Sequence, residues 1–379
     1  MKKALLIIVI ILLAILVVPI LNYIGWSSQT KKPIDVIVVD KTVTSFKMDK
    51  HKSFNWVLKN NGFVDKSTGK SISYKDSYYG FLPTRPAKSR LWDKKGYRLA
   101  ELIDLAEKAD ALYFTDTYGV FFNDWYQGAT QTRRSRKLYG GLNNNDNLLI
   151  KEMKDRGKLV LLESNCFDYP TAEYESQKAQ ERLGIEFSGW TGKYYASLDS
   201  NSADFPIWMT SMYRKQYNQP WNFTKAGVVF VSDEGIVVLE DGKHLTSALP
   251  MVVTDQKYMA KWNLPEKVAF DQSFEVIEPI NNNIISCIEL ATTAEGAALL
   301  EENGISSILP VAIQDPSDEK TYYFAGDFTY FDTPMCTASF KGFISKFLFS
   351  TKPSDPNGFF YTYYKPLIEG IFNDYYSSK

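Results

Sequence analysis

The sequence predicts an α/β protein built on a parallel sheet with helices on both faces. Three stretches carry this expectation: Ile34–Asp40 (IDVIVVD), Ala111–Asp116 (ALYFTD) and Leu159–Glu163, the last inside KLVLLESNCFDYP at Lys158–Pro170. Each is a short apolar run that ends in an acid. The runs are continuous rather than alternating, as strands buried on both faces are. Helical patterns lie between them, and strand–helix alternation is the signature of a parallel sheet. Three parallel strands ending alike would bring Asp40, Asp116 and Glu163 to one edge, where open α/β sheets bind their ligands.

In chain order, the uncharged stretch Ala4–Ile24 covers 21 residues. As a helix it would measure about 32 Å, against a hydrocarbon core of roughly 30 Å. Lys2 and Lys3 precede it, and Tyr23 and Trp26 sit where an interfacial aromatic belt would lie. The expectation is a single-pass signal-anchor at 1–26, with the remainder extracytoplasmic at the cell membrane and 27–33 as a linker. An α/β core is expected over 34–225, a β-rich insertion over 226–316, and a closing strand with C-terminal helices over 317–379.

Within the core, Phe54, Val57 and Leu58 recur at helical spacing in His51–Asn61, and Gly62 can end that helix. Leu99, Leu102, Ile103 and Ala106 make one stripe along Arg98–Lys108. Asn144–Arg156 opens on Asn and Asp and is followed by Gly157. Thr171 can cap the next helix, which has Glu173 and Glu175 in its first turn and Gly184 at its end. After Ile185 the chain turns aromatic, from Trp190 to Trp221. Val228–Val231 and Ile236–Leu239 flank a short turn and read as a hairpin. Val268, Phe270, Phe274 and Val276 alternate, as in a strand with one wet face. Thr293–Asn303 reads as an Ala-rich helix, Tyr322–Ala325 as a buried strand, and Phe340, Phe343, Ile344, Phe347 and Leu348 as an apolar final helix.

The strand–helix series from Ile34 to Gly184, the central Leu-Leu-Glu-Ser-Asn and the late Phe-Ala-Gly-Asp-Phe at 324–328 together resemble the class I glutamine amidotransferase-like fold. The likeness is to its membrane-anchored, extracytoplasmic, non-catalytic versions and implies a flavodoxin-like sheet. The family's catalytic members carry a Cys in Gly-x-Cys-x-Gly, with His and Glu two apart later. Here Cys166 stands in Ser-Asn-Cys-Phe-Asp, and His244 is followed by Leu245 and Thr246. The catalytic triad therefore does not carry over.

A net charge of −1 offers no electrostatic footprint for nucleic acid. Three cysteines without paired spacing argue against a disulfide framework. Two histidines and no Cys/His cluster give no metal site, and no dinucleotide or phosphate loop is present, so no cofactor is expected. Cys166 reads as a buried packing residue and His244 as solvent-facing.

Asp40, Asp116 and Glu163 could be an acid/base set or a cation site, or could cap loops at strand ends. His51 follows the first strand on the ligand side, or is a surface residue. The run Arg133–Lys137 is a solvated loop or a contact for an anionic polymer. The aromatic loops could stack on sugars. The expected cleft is lined by Asp40, His51, Asp116, Tyr118, Glu163 and Asn165, with Trp125 as a further binding residue. Asp116, Glu163 and His51 are the catalytic candidates. The expected function is binding of a ligand or partner, such as a cell-surface glycan or a membrane protein. The alternatives are a glycan or wall-polymer hydrolase using Asp116 and Glu163, and a structural subunit of a membrane complex.

Overall fold

The computed structural model describes residues 17–47, 49–75, 77–85, 91–127, 135–331, 333–342 and 348–379. The three acid-ended runs form β1 (Val36–Asp40), β4 (Ala111–Asp116) and β5 (Leu159–Glu163). They lie side by side and parallel, Val36 opposite Ala111 and Ala111 opposite Leu159. Every residue of β4 and β5 is buried, which the continuous apolar pattern requires. Two further strands, β2 (Tyr79–Arg85) beside β1 and β14 (Thr321–Phe324) beside β5, extend the parallel core to five. Antiparallel strands complete a ten-stranded sheet. On one side is β3 (Leu91–Lys95). On the other are β9 (Leu245–Thr254), β10 (Lys267–Ala269), β12 (Asn283–Thr292) and β13 (Ile308–Gln314). The architecture is α/β with a large mixed sheet.

Helix α1 (Asp49–Asn60) and the C-terminal α8 (Lys365–Ser377) pack together on the sheet face to which Tyr113 projects. The Phe54 ring lies 4.6 Å from that of Tyr113 and 5.4 Å from that of Phe372. A second helical layer consists of α2 (Leu102–Lys108), α3 (Asn144–Asp155) and α4 (Glu173–Leu183), with α3 resting on β4 and β5. The Asn143 side chain caps α3 in a reciprocal box with Asp146, and Gly184 ends α4 in the left-handed conformation.

The chain from 185 builds a four-stranded antiparallel sheet. Its order is β8 (Ile236–Glu240), β7 (Gly227–Val231), β6 (Ile185–Tyr195) and β11 (Phe274–Pro279). This sheet has its own core against α5 (Trp208–Tyr217), made of Tyr195, Phe205, Met209, Phe223 and their neighbours. The aromatic density after Ile185 is largely this core. Helix α6 (Gln256–Trp262) and helix α7 (Ala294–Glu302), capped by Thr293, complete the molecule.

Several expectations are corrected. Among the described residues no helix is long and apolar enough to cross a membrane. Of Ala4–Ile24, residues 4–16 lie outside the described residues, and the rest belongs to a helix over 17–27. The end of that helix is seated on the domain, the Trp26 indole donating to the Lys59 carbonyl at 3.0 Å. The expected membrane, transmembrane and signal-anchor character is therefore withdrawn. The stripe on Arg98–Lys108 is narrower than expected: a 3₁₀ turn at Leu99–Glu101 precedes α2, and Leu99 and Ile103 are exposed. Thr171 does not cap α4; its hydroxyl accepts from the Leu142 amide at 2.9 Å. Val268–Val276 is two strands in two sheets, β10 and β11, broken at 270–273. The stretch 226–316 does not stand apart, since β9, β10, β12 and β13 are continuous with the core sheet. The core of the apolar helix at 340–348 lies outside the described residues. The closing helix is α8, with Leu367, Ile368, Ile371 and Phe372 buried.

Candidate functional site

The carboxyl edge of the parallel strands is a network of acids held by short polar loops. Asp40 and Asp116 end neighbouring strands and face each other in register. The first residues after β1 bind them both. Thr42 donates its amide to Asp40 at 3.1 Å and its hydroxyl to Asp116 at 2.7 Å. The Tyr118 amide also reaches Asp116, at 2.7 Å. Helix α1 then begins, and its first turn delivers Lys50 and His51. The Lys50 ammonium lies 3.2 Å from Asp116 Oδ2 and forms a second ion pair with Asp327, just beyond β14. Two strand ends are thus bridged by one cation.

Burial pushes the Asp116 carboxyl up to about 6, Lys50 opposing and the charges of Asp327 and Asp40 adding to the rise. Burial alone would lower Lys50; the charges of Asp327 and Asp116 outweigh it and hold the ammonium above its ordinary range. His51 is fully buried. Its Nδ1 lies 2.6 Å from Asp40 Oδ2, and its Nε2 lies 2.6 Å from the Tyr74 carbonyl. A carbonyl only accepts, so Nε2 donates to it, and Nδ1 is left for the contact with Asp40. Both ring nitrogens are therefore occupied in holding Asp40 and the Tyr74 loop.

Glu163 occupies different surroundings. Phe114 pairs with Leu162, which puts Glu163 on the Tyr113 face, while an irregularity of β4 between Phe114 and Asp116 sets Asp116 opposite Asp40. Glu163 shares a hydrogen bond with the Tyr113 hydroxyl and accepts from the Phe328 amide, the Thr329 amide and the Thr329 hydroxyl at 3.1, 3.1 and 2.9 Å. Burial raises its protonation range well above that of an ordinary Glu, despite the lowering effect of Tyr113. It anchors the segment after β14 rather than facing Asp116.

Asn165, in the left-handed conformation at φ 70°, donates its amide to Glu275 at 2.9 Å and accepts from Thr117 at 2.6 Å. Glu275 on β11 is brought to this edge because the Glu275 amide donates to the Ala325 carbonyl at 2.7 Å. Burial pushes its carboxyl up to about 8, with hydrogen bonds from Tyr323 and Asn165 opposing. Cys166 is wholly buried, its Sγ donating to the Glu163 carbonyl at 3.1 Å, and burial pushes its thiol well up.

Tyr118 lies exposed at the rim, its ring 5.0 Å from that of Phe121. Trp125 is buried instead, its ring 5.0 Å from that of Phe81, which stacks on Trp92 at 4.8 Å. Of the basic run, residues 133 and 134 lie outside the described residues, while Arg136 and Lys137 are exposed. His244, expected to face solvent, is buried: its Nδ1 accepts from the Glu240 amide at 3.0 Å, fixing the turn after β8. Among the described residues, no group of three or more His, Cys, Asp or Glu side chains is placed to hold a metal ion.

Sequence reasoning missed Lys50, Asp327 and Glu275. Asp327 had a usable signal, because Tyr322–Ala325 followed by Gly-Asp is a fourth apolar run ending in an acid. Glu275 had none, since its position depends on the pairing of β11 across sheets. Three cavities are lined elsewhere: about 360 Å³ beside Trp26 and Lys59, about 290 Å³ beside Tyr213 and His244, and about 50 Å³ beside Lys41 and Asp146.

No family model matches the chain, and no curated protein matches it. Among solved structures, a ThuA-like protein from Bacteroides uniformis ATCC 8492 aligns over 82% of this chain and 90% of its own, at 7% identity and a TM-score of 0.36. A β-galactosidase from Bacillus circulans sp. alkalophilus aligns over 78% of this chain, at 9% identity and a TM-score of 0.35. A cold-adapted β-galactosidase from Rahnella sp. R3 aligns over 80%, at 9% identity and a TM-score of 0.34. The chain spans 30% of the length of each β-galactosidase.

Proposed function

We propose that this chain is a ligand-binding α/β domain of the class I amidotransferase-like kind, without acyl-transfer chemistry, and that it holds a polyhydroxylated ligand such as a glycan at the carboxyl edge of its parallel strands. The observation that carries this reading is the Asp116–Lys50–Asp327 ion bridge at the strand tips, rimmed by the exposed rings of Tyr118 and Tyr330. Carboxylates and an ammonium accept from and donate to sugar hydroxyls, and exposed rings offer flat faces at low entropy cost. The Tyr330 ring already packs on this centre, with the Lys50 ammonium 4.6 Å from its centroid. The buried, protonated Cys166 supports the absence of acyl transfer, because a thiol needs a base and access to become a nucleophile.

Hydrolysis of such a glycan by Asp116 and Glu163 is the second reading, and the raised Asp116 carboxyl favours it as a general acid. It is the weaker one, because Glu163 is committed to the Tyr113 hydroxyl and to the donors of Phe328 and Thr329.

The test is calorimetric titration with a panel of oligosaccharides. At least one should bind, with affinity reduced roughly tenfold by Asp327→Asn and by Tyr330→Ala. Binding indifferent to both substitutions, or no binding across the panel at millimolar sugar, would overturn the reading. Release of reducing sugar from the same panel, abolished by Asp116→Asn, would favour hydrolysis instead.

A further inference from the structure

The cavity of about 360 Å³ lies away from the carboxyl edge, between the N-terminal helix and the C-terminal end of α1. Its size falls in the range of small-molecule sites, roughly 300–1,000 Å³. Trp26, Phe63 and Val64 supply apolar walls, and Lys31, Lys59 and Lys70 supply three ammonium groups; no Asp or Glu is among the lining residues. We propose that this cavity is a binding site for a small anionic ligand, a phosphate- or carboxylate-bearing molecule with a flat apolar body.

A helix C-terminus ordinarily repels anions, because its last carbonyls point outward unpaired. Here those carbonyls already have donors. The Trp26 indole donates to the Lys59 carbonyl at 3.0 Å, and the Gln29 side-chain amide donates to the Asn60 carbonyl at 3.1 Å. The Lys32 amide donates to the Gly62 carbonyl at 2.8 Å. Capping is thus carried by the end of the N-terminal helix and the segment after it, which leaves the Lys59 ammonium uncommitted to the helix end. Among the described residues that ammonium has a 3.4 Å contact with the Met335 carbonyl and a 5.7 Å approach to the Trp26 ring. Burial holds it below its ordinary range, with Cys336 opposing, so an arriving anion would favour the charged form that burial disfavours. Asp65, the nearest acid along the Phe63–Lys70 segment, has its carboxylate occupied by Ser67 and Thr68. The ring of Trp26 beside three cations selects a ligand with a flat apolar part next to its charge.

The experiment titrates the full chain with phenyl phosphate, benzylamine and benzyl alcohol, monitored by the fluorescence of Trp26 against a Trp26→Phe control. Phenyl phosphate should bind, benzylamine and benzyl alcohol should not, and affinity should fall as salt rises. Lys59→Met should weaken phenyl phosphate roughly tenfold or more, while Lys59→Arg should retain most of the affinity. The double variant Lys31→Gln with Lys70→Gln, at two positions without buried polar contacts, should fold and weaken binding even if Lys59→Met proves unstable. Equal affinity for the three probes, or phenyl phosphate binding unchanged in the double variant and in Lys59→Met, would overturn the proposal. So would retention on anionic vesicles with no binding of phenyl phosphate in solution. Oligosaccharide binding at the carboxyl edge is read separately and is unaffected by any of these outcomes.

Discussion

Replacing Glu163 by Gln and by Ala separates an anchoring carboxyl from a chemically active one. Oε2 accepts from the Phe328 amide, the Thr329 amide and the Thr329 hydroxyl, while Oε1 meets the Tyr113 hydroxyl, which has Tyr364 as a second partner at 3.2 Å. Ala would leave the Thr329 amide and hydroxyl without an acceptor and the Phe328 amide with the Gly326 carbonyl at 3.0 Å. At about 1–3 kcal/mol for each orphaned group, the cost is roughly 2–6 kcal/mol. That is a large share of the roughly 5–15 kcal/mol that a folded protein has. Gln is nearly isosteric with a protonated carboxyl: its oxygen keeps the three donors, and its amide donates to Tyr113, whose hydroxyl turns to Tyr364. Its cost should stay below about 1 kcal/mol. Urea denaturation followed by circular dichroism reads both values. A Gln variant as damaged as the Ala variant would show that the negative charge itself is needed. An Ala variant close to the parent would show that the Phe328–Thr329 segment does not depend on this anchor. Either result refutes the reasoning.

Glu275 sets a pH dependence of stability: its folded range, about 8, lies above its ordinary 4.5, so the folded state binds the proton more tightly. Its contribution is full below about 4.5 and is lost as pH rises through about 8, and Glu275→Gln should flatten that decline in melting temperature. Lys41 and Asp146 form a buried ion pair at 2.5 Å, so Lys41→Met should cost about 3–5 kcal/mol in urea denaturation, and adding Asp146→Asn should recover part of it. Cys166→Ser should lower the melting temperature slightly and leave oligosaccharide affinity unchanged; loss of binding in a folded variant would show that the sulfur takes part.

Four of the five parallel strands, β1, β4, β5 and β14, were legible because their signal is local; β2 reads as part of a loop over Asp65–Arg90, since Gly80 and Pro83 interrupt its apolar run. A run such as ALYFTD can be buried on both faces only in a covered sheet, and an acid at its end needs neighbouring donors. The order β5–β4–β1 follows once those strands are taken as consecutive and parallel. The antiparallel extension by β9, β12 and β13 was not legible, since alternating strands pair equally well within an insertion or along a core edge. The break between Phe270 and Phe274 was hidden for a similar reason. An alternating pattern continues through a chain that changes sheets, and only the pairing of Phe274 with Gly192 on β6 and with Gly326 reveals the change.

The acids show where sequence reading of a site stops. Each strand end could be located to within a residue, but the chemistry depends on that residue. The irregularity at the end of β4 sets Asp116 opposite Asp40 and within reach of Lys50, while Glu163 at the end of β5 meets Tyr113. Side chains that looked like one carboxylate set are thereby divided. Asp116 and Asp327 share a cation near the rim, Asp40 is tied to His51, and Glu163 and Glu275 are neutral acids holding loops. Lys50 decides the outcome, because without it Asp116 and Asp327 would be two like charges in a poorly solvated place and at least one would take up a proton. A ligand bound at this edge, as proposed, would meet two carboxylates sharing one ammonium rather than a bare acidic patch. Such a cluster favours neutral hydroxyl-bearing molecules over free cations, which is why the proposed ligand is a polyol rather than a metal.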